Sequence, residues 1–212
     1  MPISDNREYR FFQALTPALP ESEGENEGEY IVEGYASTFD TYPLFEIEGT
    51  TYYERIEPTA FEGVDTRDTL FMYNHEGRVF ARTRNKTLSV GTDDHGLKIK
   101  ADLSKTEGAR SIYEDIKNGL IDRMSFAFTV AEGGDYYDSA THTRTITKIK
   151  KIYDVSAVSL PANDYTSIKT RSVFDGFIEA EHQELMKREA IERQKKRLKL
   201  KLKLNELSKE EN

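Results

Sequence analysis

Three residues stand where side-chain chemistry could be done. His75 follows the apolar strand LFMYN, Ser125 lies in RMSFAFTV, and Asp154 lies in IYDVSAVSLPAN. A serine hydroxyl is a weak nucleophile until a base takes its proton, and histidine is the usual base. A carboxylate bonded to the second imidazole nitrogen orients the ring and stabilises the imidazolium that forms. Each residue also has an ordinary explanation: a strand-end His with one hydrogen bond, an outward Ser on an alternating strand, an Asp paired with Lys148, Lys150 or Lys151. Singly, none carries an assignment.

The other histidines have less to recommend them. His95 sits in the turn DDHG, His142 between a Gly/Asp-rich loop and a strand, and His182 in a charged C-terminal helix. No HExxH, phosphate-binding loop or GxGxxG occurs, and the histidines lack ligand spacing, so no metal or cofactor is expected. The carboxylates are mostly loop-borne, which gives paired-carboxylate hydrolysis no specific support.

The elements that must position these residues are mainly strands. Tyr9, Phe11 and Phe12 suggest a first strand that pairs with a later one. Residues 21–29, ESEGENEGE, contain no apolar side chain and read as a solvated loop. Strands are expected at 30–39, with a bulge near Gly34, in two pieces of 45–56 around Gly49, and at 69–73, 79–83, 87–90 and 97–103. One helix is expected after a Ser104 or Thr106 cap, with Ala109, Ile112, Tyr113 and Ile116 on its apolar face and Gly119 ending it. Strands 124–130, 143–149 and 152–160 follow, closed by Pro161. In RMSFAFTV the bulky Met124, Phe126, Phe128 and Val130 face one way and Ser125, Ala127 and Thr129 the other. That small-residue face is expected to leave the hydroxyl exposed, with room for a chain to lie across it. A helix over 172–186 is expected to pack on the body through Phe174, Phe177, Ile178 and Leu185.

Composition narrows the function. The 212 residues are 37% hydrophobic, with 12 Tyr and 11 Phe, enough to bury a core. Formal net charge is −8, yet residues 179–212 hold ten Lys/Arg against eight Glu, which leaves the body at −10. So acidic a body repels nucleic-acid phosphates. With no Cys, disulfides, thiolate metal sites and a cysteine nucleophile are excluded together. No apolar run approaches the ~18 residues of a membrane span, and the N-terminus lacks the shape of a signal peptide. A soluble, cytosolic chain is expected. Residues 187–203 carry nine Lys/Arg, two Glu and alternating Leu, which reads as a marginal helix that orders against a partner.

Taken in order, EGYASTFD, ERIEPTAFE, LFMYNHEG, GLIDRMSFAF and YDVSAVSLPAN resemble the tailed-phage prohead (capsid maturation) protease family, over about residues 30–168. Its features are a strand ending in N-H, a later Ser in an S-F-x-F strand, and a strand reading acidic-V-S-x-V-S-x-P-A. Ala127 stands where the family often has Gly, and Asp154 where it commonly has Glu. The resemblance implies a serine endopeptidase with a β-dominated α+β fold: a compact β-barrel ringed by a few helices, like the herpesvirus capsid-assembly proteases; the C-terminal helical basic tail, read from composition, matches none of the family's motifs. It implies His75 as general base, Ser125 as nucleophile and Asp154 as orienting acid. Herpesvirus relatives use a second His in the third role, so His142 stays a competitor there. Backbone N–H groups near GLIDRM, with Arg123 assisting, are the expected oxyanion donors.

The expected organisation is an N-terminal strand and acidic loop (1–29), a prohead protease domain (30–178) and a charged helical tail (179–212). The expected function is cleavage of scaffold segments from the major capsid protein inside a procapsid in the host cytoplasm, and of the protease itself. Expected partners are the capsid protein with its scaffold segment and further copies of the chain, with neither membrane nor nucleic acid. The rival readings are a non-catalytic assembly module and a nucleic-acid-associated factor acting through the basic tail.

Overall fold

The computed structural model describes residues 7–12, 15–17, 30–47, 49–159 and 163–210. The acidic stretch 21–29 and Pro161 lie outside the described residues. The chain divides into two compact units, residues 1–170 and 171–212.

The first unit is β-rich, and its strands fall into three sheets. The first sheet has the order β1 (Glu8–Phe12), β10 (Arg123–Val130), β13 (Ile149–Val158), β6 (Leu70–Tyr73), β7 (Glu76–Arg82). The second runs β11 (Asp135–Asp138), β12 (Thr143–Ile146), β5 (Thr50–Ile56), β4 (Tyr42–Ile47). The third runs β2 (Leu15–Pro17), β3 (Ile31–Thr38), β9 (Gly96–Asp102), β8 (Leu88–Thr92). All pairings are antiparallel except β13 with β6 and β12 with β5. Among the described residues no strand order closes on itself, so the expected closed barrel is replaced by three sheets. Nor, among the described residues, is there a ring of helices: this unit holds α1 (Glu107–Lys117), short 3-10 turns and the first residues of the C-terminal helix.

The sequence accounts for these choices. β9 alternates Leu97, Ile99 and Ala101, all buried, with exposed Lys98 and Lys100. The Thr106 hydroxyl accepts a hydrogen bond from the Ala109 N–H, which caps α1. Ala109, Ile112, Tyr113 and Ile116 then fall on one buried stripe. Gly119, at φ +72°, supplies the left-handed residue past the helix end. All three sheets and α1 contribute to one core, through Phe71, Phe126 and Val155, Ile56 and Ile146, and Val32 and Ile99. The Phe126 and Phe128 rings stack at 4.5 Å. Truncating either to Ala would cost about 3–5 kcal/mol.

Beside that core lies a buried ionic cluster. Arg10 of β1 reaches Glu54 of β5 at 2.6 Å, and Arg144 of β12 reaches Glu54 at 3.0 Å and Asp135 at 2.7 Å. Glu8 bonds both guanidinium groups, and Tyr42 donates to Glu54 at 2.6 Å. The cluster links β1 of the first sheet to the second sheet.

Residues 163–210 form one helix, α2 (Asn163–Glu210), in place of a helix over 172–186 followed by a marginal one. No Gly or Pro follows Gly176, and the Leu, Lys, Arg and Glu of the tail are strong helix formers. Propensity therefore overrides the strand-like KLKLKLKL alternation. Exposed Glu184–Arg188 and Glu189–Arg193 pairs at i,i+4 add a few tenths of a kcal/mol each. Met186, Ile191, Leu198 and Leu200 of α2 are exposed. Among the described residues no helix is long and apolar enough to cross a membrane.

Candidate active site

The first sheet gathers His75, Ser125 and Asp154, which are 29 to 79 positions apart in sequence. Ser125 and Asp154 come from the adjacent strands β10 and β13. Ala127 pairs with Asp154 and Ser125 with Ser156 across that ladder. Directly paired residues share a face, and so do residues two apart in a strand. Ser125, Ala127, Asp154 and Ser156 therefore stand together on the side opposite Phe126 and Val155.

His75 arrives from a different kind of element. Tyr73 pairs with Glu76, which makes Asn74 and His75 the two central residues of the β6–β7 hairpin. Both have positive φ, +50° and +60°, as a type I′ turn requires. The Asn74 N–H donates to Ala157 O at 3.0 Å, and its side-chain oxygen accepts from the Ser159 N–H at 3.3 Å. These two bonds tie the turn to the end of β13, on the strand that carries Asp154.

Both imidazole nitrogens are engaged. Nδ1 lies 2.6 Å from Asp154 Oδ1, and Nε2 lies 2.6 Å from Ser125 Oγ. A carboxylate can only accept, so Nδ1 carries the proton and Nε2 is left to accept from the serine hydroxyl. The relay from hydroxyl through imidazole to carboxylate is continuous. Two groups outside it bear on it. Ser156 Oγ donates to Asp154 Oδ1 at 2.7 Å, and the Tyr9 ring of β1 meets the His75 ring edge-on at 4.7 Å. Burial, and then the Asp154 carboxylate, raise the Tyr9 phenol above its ordinary range.

One expectation is overturned. The face of β10 that carries Ser125 is not open: Ser125 and Ala127 are 0% exposed and Asp154 5%. Ser125 has β1 on one side, where it pairs with Phe11, Ser156 on the other, and the imidazole against its hydroxyl. A small-residue strand face reads the same in sequence whether it is open or covered.

The remaining expected residues lie elsewhere. His142, at the β11–β12 turn on the second sheet, bonds Tyr137 Oη at 3.2 Å and sits beside the Tyr52 ring. His95 packs edge-on against Tyr35, and His182 is exposed on α2. In GLIDRM the Leu120 N–H, and more weakly the Ile121 N–H, bond Asp115 O, so these are spent within the turn. Arg123 stands two residues before Ser125 on the same strand face, 3.6 Å from Asp122.

Sequence reasoning missed Ser156 and Tyr9. Ser156 was findable, since it follows Asp154 by two on a strand and so shares its face. Tyr9 was not, because only the β1–β10 pairing across more than a hundred residues brings it near.

A hydroxyl, an imidazole bonded at both nitrogens and a nearly buried carboxylate form an arrangement suited to nucleophilic acyl transfer. A family model of caudovirus prohead serine proteases matches residues 18–193, well over half of the chain. The chain belongs to that family. No curated protein and no solved structure matches it.

Proposed function

We propose that the protein is an active serine endopeptidase of capsid maturation, with Ser125 as nucleophile, His75 as general base and Asp154 as the acid that orients it. The observation that carries this reading is the continuous relay through both nitrogens of His75, each bond 2.6 Å long. In acylation Ser125 Oγ bonds to the scissile carbonyl carbon while His75 Nε2 takes the hydroxyl proton. As the tetrahedral intermediate collapses, the C–N bond breaks and the same proton passes to the leaving amine. Water then repeats the sequence on the acyl-enzyme and regenerates Ser125. Arg123 is the side chain proposed to face the developing oxyanion.

The substrate would be the scaffold segment of the major capsid protein, met inside the procapsid, together with sites in the protease's own ends. Residues 30–178 would be the catalytic domain and 179–212 the segment that addresses it to its partner. Kinship with the herpesvirus capsid-assembly proteases is proposed on the family resemblance alone. The experiment is co-expression with the neighbouring capsid protein, with and without Ser125→Ala, followed by mass spectrometry of the products. Cleavage lost only in the variant is the expected result.

One observation favours a second reading, a non-catalytic assembly module: Ser125 has no exposed surface. A fluorophosphonate that labels Ser125 in the wild-type protein, and not in Ser125→Ala, decides for the enzyme.

A further inference from the structure

We propose that Ser156 is a positioning residue of this site, holding the Asp154 carboxylate in the orientation that His75 needs. The inference rests on the reading of His75, Ser125 and Asp154 as the catalytic unit. Ser156 is fully buried, and it pairs directly with Ser125 across the β10–β13 ladder. A buried hydroxyl costs free energy unless it is bonded, and an alanine would fill most of its space without that cost. Ser156 donates to Asp154 Oδ1 at 2.7 Å.

The same oxygen accepts from His75 Nδ1 at 2.6 Å. One carboxylate oxygen thus takes two donors from two elements, the hairpin turn after β6 and its own strand β13. A carboxylate held by one hydrogen bond can pivot about its Cβ–Cγ bond. A second donor on the same oxygen, two residues along a rigid strand, fixes that rotation. The position of Oδ1 in turn sets the direction of the Nδ1–H bond, and so the aim of Nε2 at Ser125. Ser156 touches neither reacting atom nor substrate; it acts through Asp154. On the far side of β13 the parallel partner of Ser156 is Met72 of β6, so Ser156 stands on an interior strand, and its full burial keeps the hydroxyl from solvent.

The test compares wild type, Ser156→Ala, Ser156→Thr and Ser156→Cys, with the thermal unfolding midpoint as a folding control. Thr keeps the donor, and Cys keeps the shape while weakening it. The first readout is the far-downfield proton on His75 Nδ1, seen by NMR and assigned by its loss in His75→Ala. In Ser156→Ala it should broaden or move upfield; in Ser156→Thr it should persist. The second readout is fluorophosphonate labelling of Ser125. Its maximal rate should fall about tenfold or more in Ser156→Ala, with the half-saturating reagent concentration unchanged.

In an Asp154→Ala background, Ser156→Ala should cost nothing further, because its effect passes through the carboxylate. An unchanged resonance and labelling rate in Ser156→Ala, or an equal loss in the Asp154→Ala background, would overturn the proposal. Should the Ala variant fail to fold, the Cys and Thr variants decide by the same readouts. Should wild-type Ser125 resist labelling, the protease reading fails, and the resonance alone still decides whether Ser156 positions the carboxylate.

Discussion

Asn74 and His75 are the two central residues of one hairpin turn, and both stand at positive φ. Glycine adopts that conformation freely; Asn and His are among the few other residues that visit it, and they do so at a cost. Strain of this kind, of order 1–3 kcal/mol per residue, persists where the surroundings over-determine it and clusters at functional sites. Here the surroundings are the bonds from Asn74 to Ala157 and Ser159 and from His75 to Asp154 and Ser125.

Asn74→Ala is therefore expected to destabilise the protein by about 1–2 kcal/mol and to slow Ser125 labelling. Asn74→Gly keeps the backbone conformation and loses only the Ser159 bond, so its unfolding midpoint should fall less. Equal midpoints for the two variants would show that the backbone strain is not where stability is lost.

Ser125→Ala and His75→Ala should each abolish cleavage of the capsid protein while leaving the unfolding transition cooperative. Members of one catalytic unit lose activity non-additively, so the double variant should be no worse than the worse single one. Robust cleavage by either single variant would end the assignment of those residues.

Asp154→Asn should lower activity strongly, by about 10⁴-fold if it behaves as the corresponding change does in a Ser–His–Asp triad. The amide favours the wrong imidazole tautomer. His142→Ala should be much milder, because its ring bonds Tyr137 on the second sheet. A kinetic comparison on one peptide substrate checks both, and reversed effects would move the third role to His142.

How far the sequence alone could go is clearest at these residues. The strands were legible wherever alternation and turn residues agreed, as in Leu97, Ile99 and Ala101 of β9 or the Gly49 turn between β4 and β5. The helix α1 was legible, its Thr106 cap being one of the two that the sequence offered. What failed were matters of partnership. Periodicity says which side chains share a face, not what covers that face, so the burial of Ser125 could not be foreseen. Nor does it say whether a strand set closes into a barrel, since closure depends on edge pairings between distant segments. His75 was found as a strand-end residue, yet its placement in a strained two-residue turn depends on β7 starting at Glu76, in a stretch, EGR, with no strand signal of its own.

The tail gives a fourth prediction. Residues 187–203 carry a net charge of +7, and Ile191, Leu198 and Leu200 are exposed on α2. Regular leucines on an exposed basic helix suit a helix that packs on a partner. A chain ending at Met186 should unfold cooperatively and still react with a fluorophosphonate at Ser125, yet fail to enter procapsids assembled beside it. Normal packaging of the shortened chain, measured by gel analysis of purified procapsids, would sink the idea.

The buried ionic cluster is expected to set the acid limit of stability. Burial alone would raise the Glu8 carboxyl, but the Arg10 and Arg144 guanidinium groups outweigh it and hold the group at about 2, against an ordinary 4.5. A folded-state value below the unfolded one means that the unfolded chain binds the proton more readily. Stability from Glu8 is therefore fully present above about pH 4.5 and drains away as pH falls towards 2. The amount at stake is on the order of 3 kcal/mol. Glu8→Gln should lower the unfolding midpoint at pH 7 and flatten its fall between pH 4.5 and 2. Glu54→Ala should be costlier, about 3–5 kcal/mol, because it leaves Arg10 and Arg144 buried with a carboxylate removed from between them. β1 is the element shared with the active site: its Glu8 and Arg10 lie in the cluster, while Tyr9 between them meets His75. Thermal melts across pH, run beside Ser125 labelling rates, check both parts. A Glu8→Gln protein that melts like wild type at pH 7 and keeps the full acid dependence would place the acid limit elsewhere in the molecule.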